Sequence, residues 1–124
     1  MSVTATSLEA LNVAVVRGTC SSPADVRVLP SGTVLAQLQV TARVGEEALS
    51  VPIAVSEPAA WVEGLDAGDE IVVVGPVRRR FFRAGGATAS RVEVQAELIA
   101  PARDRRRMKA ITRRLEGLLE AFDA

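Results

Sequence analysis

Two stretches near the middle of the chain alternate apolar and polar residues, which is the pattern of β-strands with one buried face. The apolar positions are Val34, Ala36, Leu38 and Val40 in residues 33–43, and Leu49, Val51, Ile53 and Val55 in residues 47–55. The intervening residues 44–46 predict a hairpin turn. Pro52 has no N–H to donate, so we expect the second strand to be an edge, or to be bulged, at that point.

Three further stretches predict main strands, at residues 11–18, 70–80 and 88–100, and residues 26–29 predict a short one. The strand at 70–80 contains a Gly75-Pro76 irregularity, and residues 81–87 predict a hairpin tip centred on Gly85-Gly86. Ser56 as N-cap, with Pro58 in the first turn, predicts a short helix through residue 65. Residues 102–122 predict a longer amphipathic helix, whose apolar stripe is Met108, Ile111, Leu115, Leu118, Leu119 and Phe122.

Five main strands with one short helix between the third and the fourth predict a mainly β protein. This order of elements is typical of the five-stranded Greek-key barrel called the OB-fold, and a generic β-sandwich is the alternative. We therefore expect a flexible N-terminal segment at residues 1–10, an OB-fold domain at 11–101 and the C-terminal amphipathic helix at 102–124.

Composition narrows the range of functions. The chain has 124 residues, of which 48% are hydrophobic, no histidine and a single cysteine, Cys20. These numbers argue against zinc sites of His and Cys and against nucleophile–histidine pairs, so we expect no enzyme activity, no metal, no cofactor and no small-molecule substrate. Apolar runs are short and no signal-peptide pattern is visible, so we expect a cytoplasmic protein that does not enter membranes.

The charges are unevenly distributed along the chain, although the formal net charge is zero. Residues 1–77 hold three arginines against nine carboxylates, whereas residues 78–124 hold twelve basic side chains against six acidic ones. Such asymmetry is a sign of a surface that contacts nucleic acid or membrane. Because arginine is common throughout this chain, we give weight only to its clusters.

The strand sequences resemble those of the bacterial single-stranded DNA-binding protein family over roughly residues 11–101. The resemblance rests on Asn12-Val13 and Arg17-Gly18 in the first strand, on DVRVLPSGTVLAQLQVTAR at residues 25–43, and on LDAGDEIVVVGPVR at residues 65–78. It implies an OB-fold that binds single-stranded DNA without sequence specificity, in DNA replication, recombination or repair. It also implies a homo-oligomer, with a tetramer expected and a dimer as the alternative.

The chain departs from this family at several positions where the family carries base-stacking aromatics. Ala48, Ala54 and Glu46 stand at three of them, and an aromatic remains at Phe82 in the strand-four hairpin. The C-terminal helix takes the place of the family's flexible tail with its acidic tip. A diverged OB-fold that serves as a protein-interaction or regulatory module, with weak or no DNA binding, is therefore the alternative function.

Candidate DNA-binding residues concentrate at residues 77–86, VRRRFFRAGG, where arginines can pair with phosphates and a phenylalanine can stack on bases. Phe81 and Phe82 fall on opposite faces, and we expect Phe82 to bind and Phe81 to be the core member. The alternative is that these arginines are solvated hairpin residues. The predicted DNA-binding set is Arg78, Arg79, Arg80, Phe82, Arg83, Arg91, Arg43 and Arg17.

The polar face of the second main strand, which carries Gln37, Gln39 and Thr41, is a further candidate contact surface, and an ordinary solvated face is an equal alternative. The stripe of the C-terminal helix is expected to pack on its own barrel or on a partner subunit. A helix that binds an anionic membrane surface is the minor alternative, because the start of this helix is strongly basic.

Overall fold

The protein, a computed structural model described over residues 10–123, is mainly β, with eight strands and two helices. The predicted flexible segment at residues 1–10 lies outside the described residues except for Ala10. In chain order the elements are β1 (Ala14–Cys20), β2 (Asp25–Val28), β3 (Val34–Val44), β4 (Glu47–Ser56), α1 (Ala60–Glu63), β5 (Glu70–Gly75), β6 (Val77–Ala84), β7 (Ala87–Gln95), β8 (Leu98–Pro101) and α2 (Arg105–Asp123).

All eight strands belong to one sheet. Its hydrogen-bonded order is β6-β7-β4-β3-β1-β5-β8, and β2 pairs with β3 beside this path. The β4–β7 pair is parallel, and the other pairs are antiparallel. The strands at the two ends of this order are β6 and β8. Each is joined by a very short linker to a strand near the opposite end, because β6 follows β5 after one residue and β8 follows β7 after two. The sheet therefore curls into a barrel-like shape.

The strand count differs from the five main strands that the sequence predicts. The predicted strand at 70–80 is divided at Pro76 into β5 and β6, and the one at 88–100 is divided at residues 96–97 into β7 and β8. At this point the two paths cross closely: a Cβ added to Gly75 would lie 1.8 Å from the carbonyl oxygen of Gln95. Both strands change neighbours at the crossing, since β5 pairs with β1 and β8 whereas β6 pairs with β7.

The core fills the inner side of the curled sheet. Of the predicted inward positions of β3 and β4, Leu38, Val40 and Ile53 are at most 1% exposed. The prediction is wrong for Leu49, which is 44% exposed because it lies near the tip of the β3–β4 hairpin. On the side of β4 that faces β7, pairing begins only at Ile53, which is opposite Val94. Pro52 therefore has no neighbouring strand on that side, and the predicted edge position is confirmed. Ile71, Val73 and Val94 complete this cluster from β5 and β7.

The first helix is shorter than predicted, and its start is different. Ser56 is the last residue of β4, not the N-cap, and α1 spans Ala60–Glu63 with Ala59 at its N-cap position. The predicted cap fails because the β3–β4 pairing continues as far as Leu35–Ser56. Val62 anchors α1 in the core at 1% exposure.

The second helix begins at Arg105 rather than at residue 102, because Asp104 caps it. The Arg107 backbone N–H donates to Oδ1 of Asp104 at 3.0 Å, and these contacts with Arg107 lower the pKa of the Asp104 carboxyl. Ile111 then packs on Val72 and Val74 on the outer side of β5. Within residues 10–123, neither helix has the length and apolarity that a bilayer crossing requires.

Candidate nucleic-acid interface

The arginine-rich stretch forms one hairpin of β6 and β7. Its turn is made by Gly85 and Gly86, whose φ angles of 58° and 81° favour glycine. Residues directly opposite each other in an antiparallel pair share a face of the sheet. One face of the hairpin therefore carries Arg78, Arg80, Phe82, Arg91 and Glu93, and the other carries Arg79, Phe81, Arg83, Ser90 and Val92.

The first of these faces continues across β7 onto β4 and β3. Gln95 is level with Ala54 of β4, which is in turn opposite Gln37 of β3. Side chains join these strands, because Arg78 Nη1 donates to Gln95 Oε1 at 3.3 Å and Gln95 Nε2 donates to Oγ of Ser56 at 3.3 Å. We call this surface the polar face; it comprises Gln37, Gln39, Thr41, Arg43, Ala48, Ser50, Pro52, Ala54, Arg78, Arg80, Phe82, Arg91, Glu93 and Gln95.

Small residues of β4 form the floor of the polar face. Ala48, Ser50, Pro52 and Ala54 succeed one another there, and none rises far above the backbone. The parallel pairing of β4 with β7 places the tips of the β3–β4 and β6–β7 hairpins at the same end of the sheet. Arg43 stands one residue from the first tip, so it shares an end of the polar face with the β6–β7 hairpin.

Phe82 is the aromatic side chain of the polar face, and the guanidinium of Arg80 packs against its ring. Phe82 is 36% exposed, and the Arg80 guanidinium carbon lies 5.7 Å from the centre of its ring. Nε of Arg80 also donates to Oε2 of Glu93 at 3.1 Å, and Glu93 is 2% exposed. Arg91 lies directly opposite Arg80 and adds a second positive charge beside the ring.

The expectation that Phe81 belongs to the core is wrong, because its exposed fraction is 66%. Phe81 does point to the side that continues the barrel interior, as alternation requires. However, the hairpin extends beyond the barrel, so that side has no core residues to pack against. Val92 on the same side is 47% exposed for the same reason.

The remaining predicted residues lie in different places. Arg79 and Arg83 are on the Phe81 side of the hairpin, where Arg79 donates to Oγ of Ser90 at 3.0 Å and Arg83 donates to the carbonyl of Gly86 at 3.2 Å. Arg17 lies on β1 and donates to Glu70 at 3.2 Å. The structure thus brings Arg78, Arg80, Phe82 and Arg91 together, with Arg43 at the same end, and leaves Arg17 apart.

Three residues that shape this region are absent from the predicted set. Glu93 and Gln95 follow Arg91 at every second position, which is the available sequence signal that they share its face. Asn12 fixes the base of the hairpin: its Nδ2 donates to the Val77 carbonyl at 2.7 Å, and its Oδ1 accepts from the Val77 N–H at 2.9 Å. No local sequence signal connects positions 65 residues apart.

Other chemistry in the structure is sparse. Among residues 10–123 there is no group of three or more His, Cys, Asp or Glu side chains able to hold a metal ion. Cys20 is 2% exposed, and burial together with the charge of Asp69 raises the pKa of its thiol. Such a thiol is a poor nucleophile.

Neither a protein-family model nor a curated protein matches the chain.

Proposed function

We propose that this protein binds single-stranded DNA without sequence specificity, through the polar face of an OB-fold barrel. The observation that carries the proposal is the exposed Phe82 ring, with Arg80 and Arg91 beside it and Arg78 further along the same face. Proteins that bind single strands in this way combine a cationic track for the phosphates with flat rings on which bases stack.

The strand pairing supports the OB-fold part of the proposal. If β5 with β6 is counted as a fourth strand and β7 with β8 as a fifth, β1, β3 and β4 are the first three. The pairs then run first–second, second–third, third–fifth, fifth–fourth and fourth–first, and α1 lies between the third and the fourth strand. OB-folds are five-stranded, partly open barrels that bind oligonucleotides on the face of strands two and three and on the loop between strands four and five. The polar face occupies those elements.

The character of the floor supports binding that depends more on arginine than on stacking. Each stacked base contributes about 1–3 kcal/mol, and Phe82 is the aromatic ring on the polar face. Ala48 offers the bases a shallow apolar surface but no ring, and Ala54 is fully buried. We therefore infer a moderate affinity that falls steeply with salt, as charge-based binding does.

The proposed biological role is to coat exposed strands during DNA replication, recombination or repair in the cytoplasm, without catalysis. Binding itself can be tested without assuming this role or location.

The binding test is fluorescence anisotropy with a labelled dT oligomer longer than the roughly 4–16 nucleotides that one OB-fold covers. The oligomer should bind more tightly than a duplex of equal length.

A matched pair of variants locates the surface. Arg78→Ala/Arg91→Ala removes two charges from the polar face, and Arg107→Ala/Arg114→Ala removes two from ion pairs of α2, with Asp104 and Glu97. The first variant should lose much more dT affinity than the second. Equal losses would show that binding is not located on the polar face. No binding of dT at low salt would favour the alternative, a protein-interaction or regulatory module.

A further inference from the structure

An apolar groove runs along the second half of α2, away from the polar face. It is lined by Leu11, Val13, Val15, Leu115, Leu118, Leu119 and Phe122. Within the part of the chain that the structure describes, these side chains are poorly covered: Leu119 is 62% exposed, Phe122 is 63% and Val15 is 50%. Apolar side chains gathered in this way mark a surface that another molecule covers.

The helix presents two apolar sides, and its own barrel covers one. Ile111, at 3% exposure, packs on Val72, Val74 and Ala100. A second line runs beside it at alternating spacings of four and three, through Met108, Thr112, Leu115, Leu119 and Phe122. Met108 and Leu115 also pack at the edge of the barrel cluster, whereas Leu119 and Phe122 are exposed. Such alternation is the repeat by which one helix packs along another.

The charges beside this second line change sign along the helix. Arg105 and Lys109 come from the first half, and Glu116, Glu120 and Asp123 come from the second. At 3.6 residues per turn, all five lie within about 60° of one another around the helix axis. Among residues 10–123, none of these five forms an ion pair.

From this arrangement we infer that α2 packs antiparallel against α2 of a second copy of this chain, across a two-fold axis. Antiparallel pairing brings the acidic half of each helix beside the basic half of the other. Parallel pairing would place like charges together. A two-fold axis makes both contacts equivalent, as in most homodimers. The inference does not depend on nucleic-acid binding.

The proposed contact includes residues outside the two helices. Leu11, Val13 and Val15 form its second wall, so the partner's α2 also covers the outer side of the N-terminal strand region. Leu119 and Phe122 are thereby buried from both sides. In the first half of α2, where Ile111 already contacts the barrel, the partner adds chiefly the charge contacts.

The first test measures mass in the absence of DNA by light scattering. The wild-type chain should have at least twice the monomer mass, and Leu119→Glu/Phe122→Glu should halve it. The control is Ala110→Glu, which adds a charge to an exposed position on the opposite side of α2. Circular dichroism checks that each variant keeps its fold. A wild-type monomer, or a groove variant with unchanged mass, would overturn the inference.

The second test asks whether the partner is a copy and whether it is antiparallel. Arg105→Glu/Lys109→Glu makes the flank wholly acidic, and Glu116→Lys/Glu120→Lys/Asp123→Lys makes it wholly basic. Each variant alone should have half the wild-type mass at low salt, and an equimolar mixture should recover the wild-type mass. If both variants remain associated when separate, the charges do not guide the contact and the antiparallel arrangement is wrong.

A third variant separates a second copy from the chain's own N-terminus as the occupant. Deletion of residues 1–9 should leave the wild-type mass unchanged. If instead the full chain is a monomer and the deletion makes it associate, the groove is filled from within the same chain, and the inference fails. Because every readout is mass without DNA, failure here leaves the DNA-binding proposal untouched.

Discussion

Glu93 is 2% exposed and accepts an ion-paired hydrogen bond from Nε of Arg80 at 3.1 Å, and the same guanidinium lies 5.7 Å from the centre of the Phe82 ring. One arginine therefore neutralises a buried carboxylate and positions the aromatic side chain proposed to stack on bases. This relationship links the stability of the hairpin to its proposed binding role, and the two can be separated by substitution.

Arg80→Ala should lower the free energy of unfolding by about 1–3 kcal/mol, because it leaves the buried Glu93 carboxylate without its partner. Urea unfolding followed by circular dichroism measures the change. Arg79→Ala is the control: Arg79 is exposed and its hydroxyl partner Ser90 is exposed, so its change should stay within about 0.5 kcal/mol. Adding Glu93→Gln to Arg80→Ala should recover part of the loss; no recovery would mean that the ion pair is not the cause.

Phe82→Ala should weaken dT binding by about 1–3 kcal/mol, or roughly 5- to 160-fold in Kd, because one stacked base is lost. Phe81→Ala removes an equal ring from the opposite side of the same hairpin. Since Phe81 is 66% exposed, its removal should leave both the melting temperature and the affinity nearly unchanged. A larger affinity loss at Phe81 than at Phe82 would place the bases on the other side of the hairpin.

The affinity for dT should fall linearly on a log–log plot against salt concentration, with a slope of about −0.7 for each phosphate contacted. Three contacts, from Arg78, Arg80 and Arg91, give a slope of about −2. Arg78→Ala/Arg91→Ala should reduce the magnitude of that slope by about 1.4. Anisotropy titrations at several salt concentrations measure both slopes, and a flat response at measurable affinity would contradict the phosphate contacts.

Two glycine substitutions should have opposite effects on stability. Gly75→Ala places a Cβ 1.8 Å from the Gln95 carbonyl oxygen, a backbone atom, so we expect a loss of about 1–3 kcal/mol or more. Gly117→Ala lies inside α2 with no atom within 4 Å of the new Cβ, and it should gain about 0.5–1 kcal/mol. Thermal unfolding compares the two, and a harmless Gly75→Ala would show that the strands are not in close contact there.

The sequence predicts β3 and β4 to within one residue at each end, because apolar residues alternate along both strands. Burial itself does not alternate along β4, where Ile53, Ala54 and Val55 are all buried. The sequence also marks Gly75-Pro76 as irregular, which is where β5 ends and β6 begins. The sequence does not predict where the barrel core ends. Alternation assigns Phe81 to the inner side, but it carries no information on how far along the hairpin the core extends.

The same distinction applies to the candidate site. Clustered arginines and phenylalanines in residues 77–86 predict a cationic hairpin, and local sequence was sufficient for that. The partners that organise it come from distant parts of the chain. Asn12 reaches Val77, and Gln95 reaches β4, through register that depends on closure of the sheet. Similarly, Ser56 is a good helix cap by type, but continued pairing with β3 keeps it in a strand.

The uneven distribution of charge has a consequence for the speed of encounter. The chain carries no formal net charge, so a distant polyanion exerts little net pull on it. At short range, however, the β6–β7 hairpin carries five arginines against one carboxylate, Glu93, and so forms a local positive patch. Such a patch orients the molecule as it approaches, so that collisions with a negatively charged strand occur preferentially through the hairpin. Association should thus be faster than the isoelectric point near 6.3 would suggest, and the advantage should fade as salt screens the patch.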